Sequence, residues 1–173
     1  MQLILWAVIA AAAVILDQLT KSLAVRDLKP IGSTVVIDRI LGLRYVENRG
    51  AAFGMMQGFR WVFIVLSFAA IAAIAVLLVW KRKRVPPLLG IGLAMIVGGG
   101  IGNQIDRLVS GYVVDFFEFL FVDFAIFNVA DTFVTVGAVL VLVDLLFFHR
   151  DFLTEKPGKI PDKPLPGSGE RDP

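Results

Sequence analysis

The sequence predicts an all-α integral membrane protein, with four transmembrane helices and a small β-rich extracytoplasmic segment between the first two. Of its 173 residues, 57% are hydrophobic and only 18% are charged, and the mean hydropathy is +0.79. Soluble domains are about 45–50% apolar with glycine included and about 25% charged, so this composition argues against an ordinary soluble domain. Four apolar stretches also approach the roughly 20 residues with which a helix crosses a bilayer.

The four predicted helices cover residues 3–25, 61–80, 88–105 and 127–148. The first begins with an unbroken apolar run, and the second is uncharged with Trp61 and Trp80 at its ends, as expected of interfacial anchors. The third is rich in glycine, which lets helices approach closely in a membrane. The fourth contains only two charged residues, Asp131 near its start and Asp144 near its end.

Basic residues predict the orientation of these helices. Residues 81–84 read KRKR and fill the short connection between the second and third helices, and further Lys and Arg follow the fourth. Because basic loops favour the cytoplasm, both termini are predicted to be cytoplasmic. This run is therefore a topology signal, and no nucleic-acid partner is expected. Residues 1–150 form the predicted transmembrane domain, and the Pro-rich residues 151–173 form a disordered cytoplasmic tail.

The first outer segment is expected to contain a short hairpin or small sheet. Residues 33–46 are rich in β-branched side chains and are interrupted by Gly42, a pattern typical of short strands. No internal repeat is visible in the sequence, which argues against the inverted-repeat plan of many transporters.

Polar residues gather at the predicted outer ends of the helices. Separate segments of the chain contribute to this set, which comprises Asp17, Lys21, Asn48, Arg49, Asn103, Asp106, Arg107, Asp115, Asn128 and Asp131. Each has an ordinary structural explanation, such as a helix ion pair for Asp17 and Lys21 or a helix cap for Asn128. Their joint placement on one side favours a functional site at the outer membrane surface.

The residue types limit the chemistry of that site. The chain has no Cys, and its one His, His149, lies at the inner end, which excludes a cysteine nucleophile and a Ser-His-Asp triad. Metal ligation by carboxylates alone stays open, although no motif supports it. A pair of carboxylates, Asp115 and Asp131, remains. One ionised carboxylate can deprotonate a water while its protonated partner polarises a carbonyl, which indicates a candidate dicarboxylate hydrolase of unspecified substrate.

Five stretches, in this order, resemble the motifs of bacterial lipoprotein signal peptidase, also called signal peptidase II. They are DQLTK at 17–21, NRGAAFG at 48–54, GGIGNQIDR at 99–107, VVDF at 113–116 and FNVAD at 127–131. Together with the four-helix plan, the resemblance covers roughly residues 1–150. Thr132 and Val134 stand where relatives often have Ser and Ile, a mild departure that leaves the motif chemistry intact.

The resemblance implies an aspartic endopeptidase of the bacterial inner membrane. Its partners would be membrane lipid and a prolipoprotein substrate with a diacylglyceryl-modified Cys, and cleavage would fall just before that Cys. The resemblance also implies inhibition by globomycin. Separately, no metal or other cofactor is expected, and a monomer is the default expectation.

The resemblance further assigns roles to individual residues. Asp115 and Asp131 would be the catalytic pair. Substrate-binding or pair-orienting residues would be Asn48, Gly54, Asn103, Arg107, Asn128 and Ala130. Structural support would come from Asp17, Lys21 and Asp106.

Two other classes of function remain as alternatives. In an ion- or proton-coupled transporter, Asp17 and Asp131 would act as relay groups, although such sites usually lie near the bilayer midplane. In a structural or chaperone-like subunit, the β-rich segment would bind a partner. This last class predicts that Asp115→Asn is tolerated, whereas the peptidase predicts loss of activity with folding retained.

Overall fold

The computed structural model describes residues 1–50 and 60–149. Within them the helices are α1 (Gln2–Leu23), α2 (Arg60–Trp80), α3 (Pro87–Val109) and α4 (Val129–Val143). The strands are β1 (Ser33–Ile37), β2 (Leu41–Asn48) and β3 (Val113–Phe119). The first and last of these helices continue directly into single π-helical turns, Ala24–Leu28 after α1 and Asp144–Phe148 after α4.

Three helical segments in the described part of the chain are long and apolar enough to cross a membrane. They are Gln2–Leu28, Pro87–Val109 and Val129–Phe148, which correspond to the first, third and fourth predicted spans. α2 is a further apolar helix, for which Ile64–Trp80 is the segment that meets the apolar criterion. The mostly helical fold is therefore confirmed, whereas the second span stays a prediction.

α3 packs against α1, α2 and α4 and so lies at the centre of the bundle. Its glycines permit the close approach that the sequence predicted. A Cβ atom at Gly98 would lie 2.6 Å from the Ala10 carbonyl oxygen, and one at Gly102 would lie 2.5 Å from Asp17 Oδ2. Any larger side chain at these positions would push α1 away from α3.

The three strands form one antiparallel sheet in the order β1-β2-β3. β1 and β2 confirm the predicted hairpin, and the turn between them includes Arg39 with a positive φ of 57°. The sequence did not predict β3, in which residues 113–119, including Asp115, pair with β2 within the connection between α3 and α4. The residues of β3 show no strict alternation of apolar and polar side chains, so the strand had no clear sequence signal.

The sheet is attached to the helices through a small apolar cluster. Ala24 and Leu28, in the turn after α1, pack with Val114 and Phe116 of β3. The chain then returns to β3 before α4 begins, since the backbone N–H groups of Phe116 and Phe117 both donate to the Phe127 carbonyl. β3 and the start of α4 are thereby brought side by side.

Candidate active site

A cavity of about 460 Å³ lies where the sheet meets the ends of α3 and α4. Its polar lining comes from β2, α3, β3 and α4, through Asn48, Asn103, Arg107, Asp115 and Asp131. The rest of its wall is mostly apolar and includes Val113, Phe119, Phe124, Phe127, Val134 and Val136. Two carboxylates from different elements, β3 and α4, therefore face one cavity whose remaining wall is mostly apolar.

Asp115 is presented by β3, opposite Val46 of β2, and is only 2% exposed. Asn48 Nδ2 donates to Asp115 Oδ2 at 2.9 Å, and Asn128 Nδ2 donates to Asp115 Oδ1 at 2.7 Å. Burial raises the pKa of Asp115 to about 6, and the nearby charge of Asp131 adds to this effect. The hydrogen bonds from the two amides and the charge of Lys21 oppose it.

Asp131 lies in the first turn of α4 and takes part in the cap of that helix. The Asp131 backbone N–H donates to Asn128 Oδ1 at 2.9 Å, and the Asn128 backbone N–H donates to Asp131 Oδ2 at 3.1 Å. The other carboxylate oxygen, Oδ1, accepts a hydrogen bond of 2.8 Å from Asn103 Nδ2. These donors and the positive end of the helix dipole all favour negative charge on Asp131.

Asn128 joins the two carboxylates. It is fully buried, and its Nδ2 atom also lies 3.0 Å from Asn103 Oδ1 while its Oδ1 atom accepts from Asp131. One asparagine therefore caps α4 and also donates to Asp115. The helix cap expected from the sequence and the contact with the carboxylate pair are made by the same side chain.

A buried ionic group lies behind this pair, and we call it the Lys21 cluster: Asp17, Lys21 and Asp106. Lys21 Nζ lies 2.8 Å from Asp17 Oδ2 and 2.9 Å from Asp106 Oδ2, and it also donates to Asn103 Oδ1 at 2.8 Å. All three residues are buried. The helix ion pair of Asp17 and Lys21 is therefore present, but as part of a larger network between α1 and α3.

Both carboxylates of the Lys21 cluster accept hydrogen bonds from the backbone beside the candidate pair. Asp17 Oδ1 accepts from Ala130 N at 3.0 Å, and Ala130 directly precedes Asp131. Asp106 Oδ2 accepts from Val114 N at 3.1 Å, and Val114 directly precedes Asp115. The cluster thus fixes the backbone at both carboxylates.

The other residues that the sequence predicted for the site do not all lie at the cavity. Arg107 lines the cavity, and its guanidinium interacts electrostatically with Asp131, Asp115 and Asp106. Ala130 is fully buried and contributes through its backbone N–H. Gly54 lies outside the described residues, and Arg49 is exposed and pairs with Glu47.

Sequence reasoning missed Gln18. Its Nε2 atom donates to Asp106 Oδ1 at 2.9 Å and lies 3.2 Å from the Gly102 carbonyl oxygen, so it ties α1 to α3. The available signal was its position within the 17–21 motif, next to Asp17. Within residues 1–50 and 60–149, no group of three or more His, Cys, Asp or Glu side chains is arranged to hold a metal ion.

The comparison with known protein families identifies the chain. A family model described as Signal peptidase (SPase) II matches residues 9–147, well over half of the sequence. The chain belongs to the signal peptidase II family. Its motifs and its apolar helices together make it a multi-pass bacterial membrane peptidase.

Individual signal peptidase II relatives agree with this assignment. The lipoprotein signal peptidase of Caldanaerobacter subterraneus subsp. tengcongensis is 48% identical over 142 residues, which cover 81% of this chain and 94% of the relative. That of Clostridioides difficile is 39% identical over 134 residues, with 78% and 89% covered. The resemblance inferred from the five motifs is therefore confirmed.

Two solved structures have the same fold as this member of the signal peptidase II family. Each is described as a bacterial membrane enzyme studied by the in meso method, one at 2.3 Å and the other at 1.9 Å resolution. The first has a TM-score of 0.74 at 30% identity and covers 90% of this chain and 93% of its own. The second has a TM-score of 0.73 at 32% identity and covers 83% and 93%.

Proposed function

We propose that this chain is an aspartic endopeptidase of the bacterial inner membrane that removes signal peptides from diacylglyceryl-modified prolipoproteins. Cleavage would fall at the peptide bond just before the lipidated Cys. The observation that carries the proposal is that Asp115 and Asp131 line one cavity and are bridged by Asn128. The curated relatives, which are named lipoprotein signal peptidases, supply the substrate class.

The environments of the two carboxylates support different roles for them. Asp115 has its pKa raised to about 6 by burial, so it is the better candidate to hold a proton. Asp131 accepts hydrogen bonds from Asn103 Nδ2 and from the Asn128 backbone at a helix N-terminus, so it is the better candidate to stay ionised.

In the proposed reaction, Asp131 takes a proton from a water molecule, and the resulting hydroxide attacks the scissile carbonyl carbon. Asp115 donates its proton toward the carbonyl oxygen and so stabilises the negative charge that develops there. When the tetrahedral intermediate collapses, the C–N bond breaks and Asp131 transfers the proton taken from water to the leaving amine, while the hydroxyl group formed from the carbonyl oxygen gives its proton back to Asp115. The amine belongs to the lipidated Cys, which becomes the new N-terminus, and no metal or cofactor takes part.

The lining of the cavity supports a hydrophobic peptide substrate. Asn48 and Arg107 would hydrogen-bond the substrate backbone, because both combine polar donors with a position on the cavity wall. Phenylalanine and valine side chains make up most of the rest and would accept apolar residues of the signal peptide. Gly54 is proposed to contribute to the same binding region.

The proposed topology has four spans, both termini in the cytoplasm and the catalytic pair at the outer surface. The polar ends of α1 and α3 and the start of α4 lie together, and the basic residues 81–84 lie in the connection between α2 and α3. Residues 1–150 would form the catalytic domain, and the predicted tail, residues 151–173, lies outside the described residues. The enzyme would act as a monomer surrounded by membrane lipid.

The substrate class can be tested with a matched pair of peptides. The detergent-purified protein is incubated with a prolipoprotein peptide that carries diacylglyceryl-Cys and with the same peptide carrying unmodified Cys, and products are identified by mass spectrometry. We expect cleavage just before the modified Cys only, and its inhibition by globomycin. Equal cleavage of both peptides, or cleavage at another bond, would contradict the proposal.

A further inference from the structure

The side-chain amide of Asn103 lies between a cation and a carboxylate. Its Oδ1 atom accepts hydrogen bonds from Lys21 Nζ at 2.8 Å and from Asn128 Nδ2 at 3.0 Å. Its Nδ2 atom donates to Asp131 Oδ1 at 2.8 Å. Because an ammonium group has donors and no acceptor, the amide atom that faces Lys21 must be the oxygen. The amide nitrogen must then face Asp131.

We propose that Lys21 is a positioning residue for catalysis, which fixes the orientation of the Asn103 amide so that an NH2 group faces Asp131. This inference rests on the proposed function. In the reverse orientation, the amide oxygen would face the Asp131 carboxylate, and only a protonated carboxyl group would complete that hydrogen bond. The observed orientation keeps Asp131 ready to accept a proton from water.

The hydrogen-bond inventory of Lys21 supports this role. An ammonium group has three hydrogens, and Lys21 Nζ has three acceptors within 2.9 Å: Asp17 Oδ2, Asp106 Oδ2 and Asn103 Oδ1. Lys21 is 3% exposed, so little room is left for water at this site. Charge neutralisation explains why Lys21 contacts the carboxylates of Asp17 and Asp106, but it does not explain the contact with the neutral amide of Asn103. This contact with Asn103 is the one that affects Asp131, because the same amide donates to Asp131.

Asn128 alone would fix the Asn103 amide less firmly. Its Nδ2 atom has two hydrogens but three acceptors, namely Asp115 Oδ1 at 2.7 Å, Asn103 Oδ1 at 3.0 Å and the Val114 carbonyl oxygen at 3.3 Å. The hydrogen bond to Asn103 is therefore shared and longer than the one from Lys21. Lys21 supplies the dedicated donor.

The test is the pH dependence of kcat/KM for cleavage of the diacylglyceryl-modified peptide. In Lys21→Gln, the new side chain can present either a donor or an acceptor to Asn103. We expect the acid limb of the profile to move to higher pH, with kcat/KM about tenfold lower on that limb, because a hydrogen bond to a charged group is weakened. Lys21→Arg should restore most of the loss. Lys29→Gln makes the same change in an exposed pair with Glu47 and should leave the profile unchanged.

Loss of the Lys21 charge would also affect Asp131 directly, through electrostatics and without the Asn103 amide. The measurement is therefore repeated in an Asn103→Ala background. The charged groups around Asp131 are Asp17 and Lys21 on α1, Asp106 and Arg107 on α3, and Asp115 on β3, and all except Lys21 are retained. If Lys21 acts through the amide, the shift caused by Lys21→Gln is clearly smaller when Asn103 is absent, because only the direct effect of the lost charge remains. An equal shift in both backgrounds, or no shift in either, would overturn the inference.

Folding is controlled with a charge-balanced variant. Lys21→Gln leaves two buried carboxylates without their cation, whereas Lys21→Gln with Asp106→Asn removes one charge of each sign. This double variant is compared with Asp106→Asn alone, and the same displacement of the acid limb is expected between them. Failure of the wild-type protein to cleave the peptide would instead contradict the proposed function itself.

Discussion

The carboxylate of Asp17 on α1 accepts a hydrogen bond of 3.0 Å from the backbone N–H of Ala130, at the start of α4. Asp106 makes the equivalent contact with Val114 in β3. Each buried carboxylate therefore holds the residue that directly precedes one member of the proposed catalytic pair. The distance between Asp115 and Asp131 depends on these two backbone contacts as well as on Asn128.

The first prediction concerns Asp17. Asp17→Ala removes the acceptor for Ala130 N–H and one of the two carboxylates paired with Lys21, so we expect a loss of about 3–5 kcal/mol in the free energy of unfolding. Asp17→Asn keeps an oxygen that can accept from Ala130 and should lose less stability and less activity. Thermal unfolding of the detergent-purified protein measures the loss of stability. Cleavage of the peptide measures the loss of activity. Equal losses in the two variants would show that the backbone contact is unimportant.

The second prediction concerns how the carboxyl group of Asp115 makes the free energy of unfolding depend on pH. Its pKa is raised from an ordinary value near 3.8 to about 6 in the folded protein, so the folded state binds more protons than the unfolded state between these values. Stability should therefore fall as pH rises from about 4 to about 6, by about 3 kcal/mol from this group.

Asp115→Asn removes this titration. The variant should gain stability relative to the wild type as pH rises from 4 to 8, while its cleavage activity is lost. Thermal unfolding curves at several pH values measure the difference between the two proteins. A difference that does not change with pH would show that Asp115 titrates at its ordinary value.

The third prediction separates two neighbouring glycines of α3. A Cβ atom at Gly99 would collide with the Ala130 carbonyl oxygen, whereas one at Gly100 would meet only the flexible end of Ile71 at 3.0 Å. Gly99→Ala should therefore displace the residue before Asp131 and reduce kcat at least tenfold, with a destabilisation of about 1–3 kcal/mol. Gly100→Ala serves as the control and should remain close to wild type in both measurements.

The fourth prediction concerns the membrane topology. The chain contains no Cys, so Asp38→Cys in the β1–β2 turn and Lys83→Cys between α2 and α3 each provide one labelling site, and both positions are exposed. A membrane-impermeant maleimide should label the Asp38→Cys protein in intact spheroplasts. It should label the Lys83→Cys protein only after permeabilisation. Labelling of both proteins in intact spheroplasts would show that α2 does not cross the membrane.

Much of the fold follows from local sequence patterns. Long apolar stretches predicted α1, α3 and α4, because a helix that crosses a bilayer needs about 20 predominantly apolar residues. β3 was not predicted from the sequence because it pairs with β2, far upstream in the chain, and because its apolar and polar side chains do not alternate. The hydrogen bonds of a strand are made with another segment, so a short strand leaves little local signal.

The site was predictable as a set of residues but not as a network. The hydropathy pattern predicted that Asp17, Asn103 and Asp131 lie on one side of the membrane, and each of them lies in one of the five motifs. No local pattern specifies that Asn103 stands between Lys21 and Asp131, since those contacts join α1, α3 and α4. Gln18 was missed for the same reason, because its partners lie on α3.

The most direct test of the proposed catalytic pair is cleavage of a diacylglyceryl-modified prolipoprotein peptide by wild type, Asp115→Asn and Asp131→Asn. Asp123→Asn, at an exposed position between β3 and α4, is the matched control. We predict cleavage before the modified Cys by the wild type and the control, and none by the other two variants, with all four proteins folded. Cleavage that persists in either Asp115→Asn or Asp131→Asn would contradict the two-carboxylate mechanism.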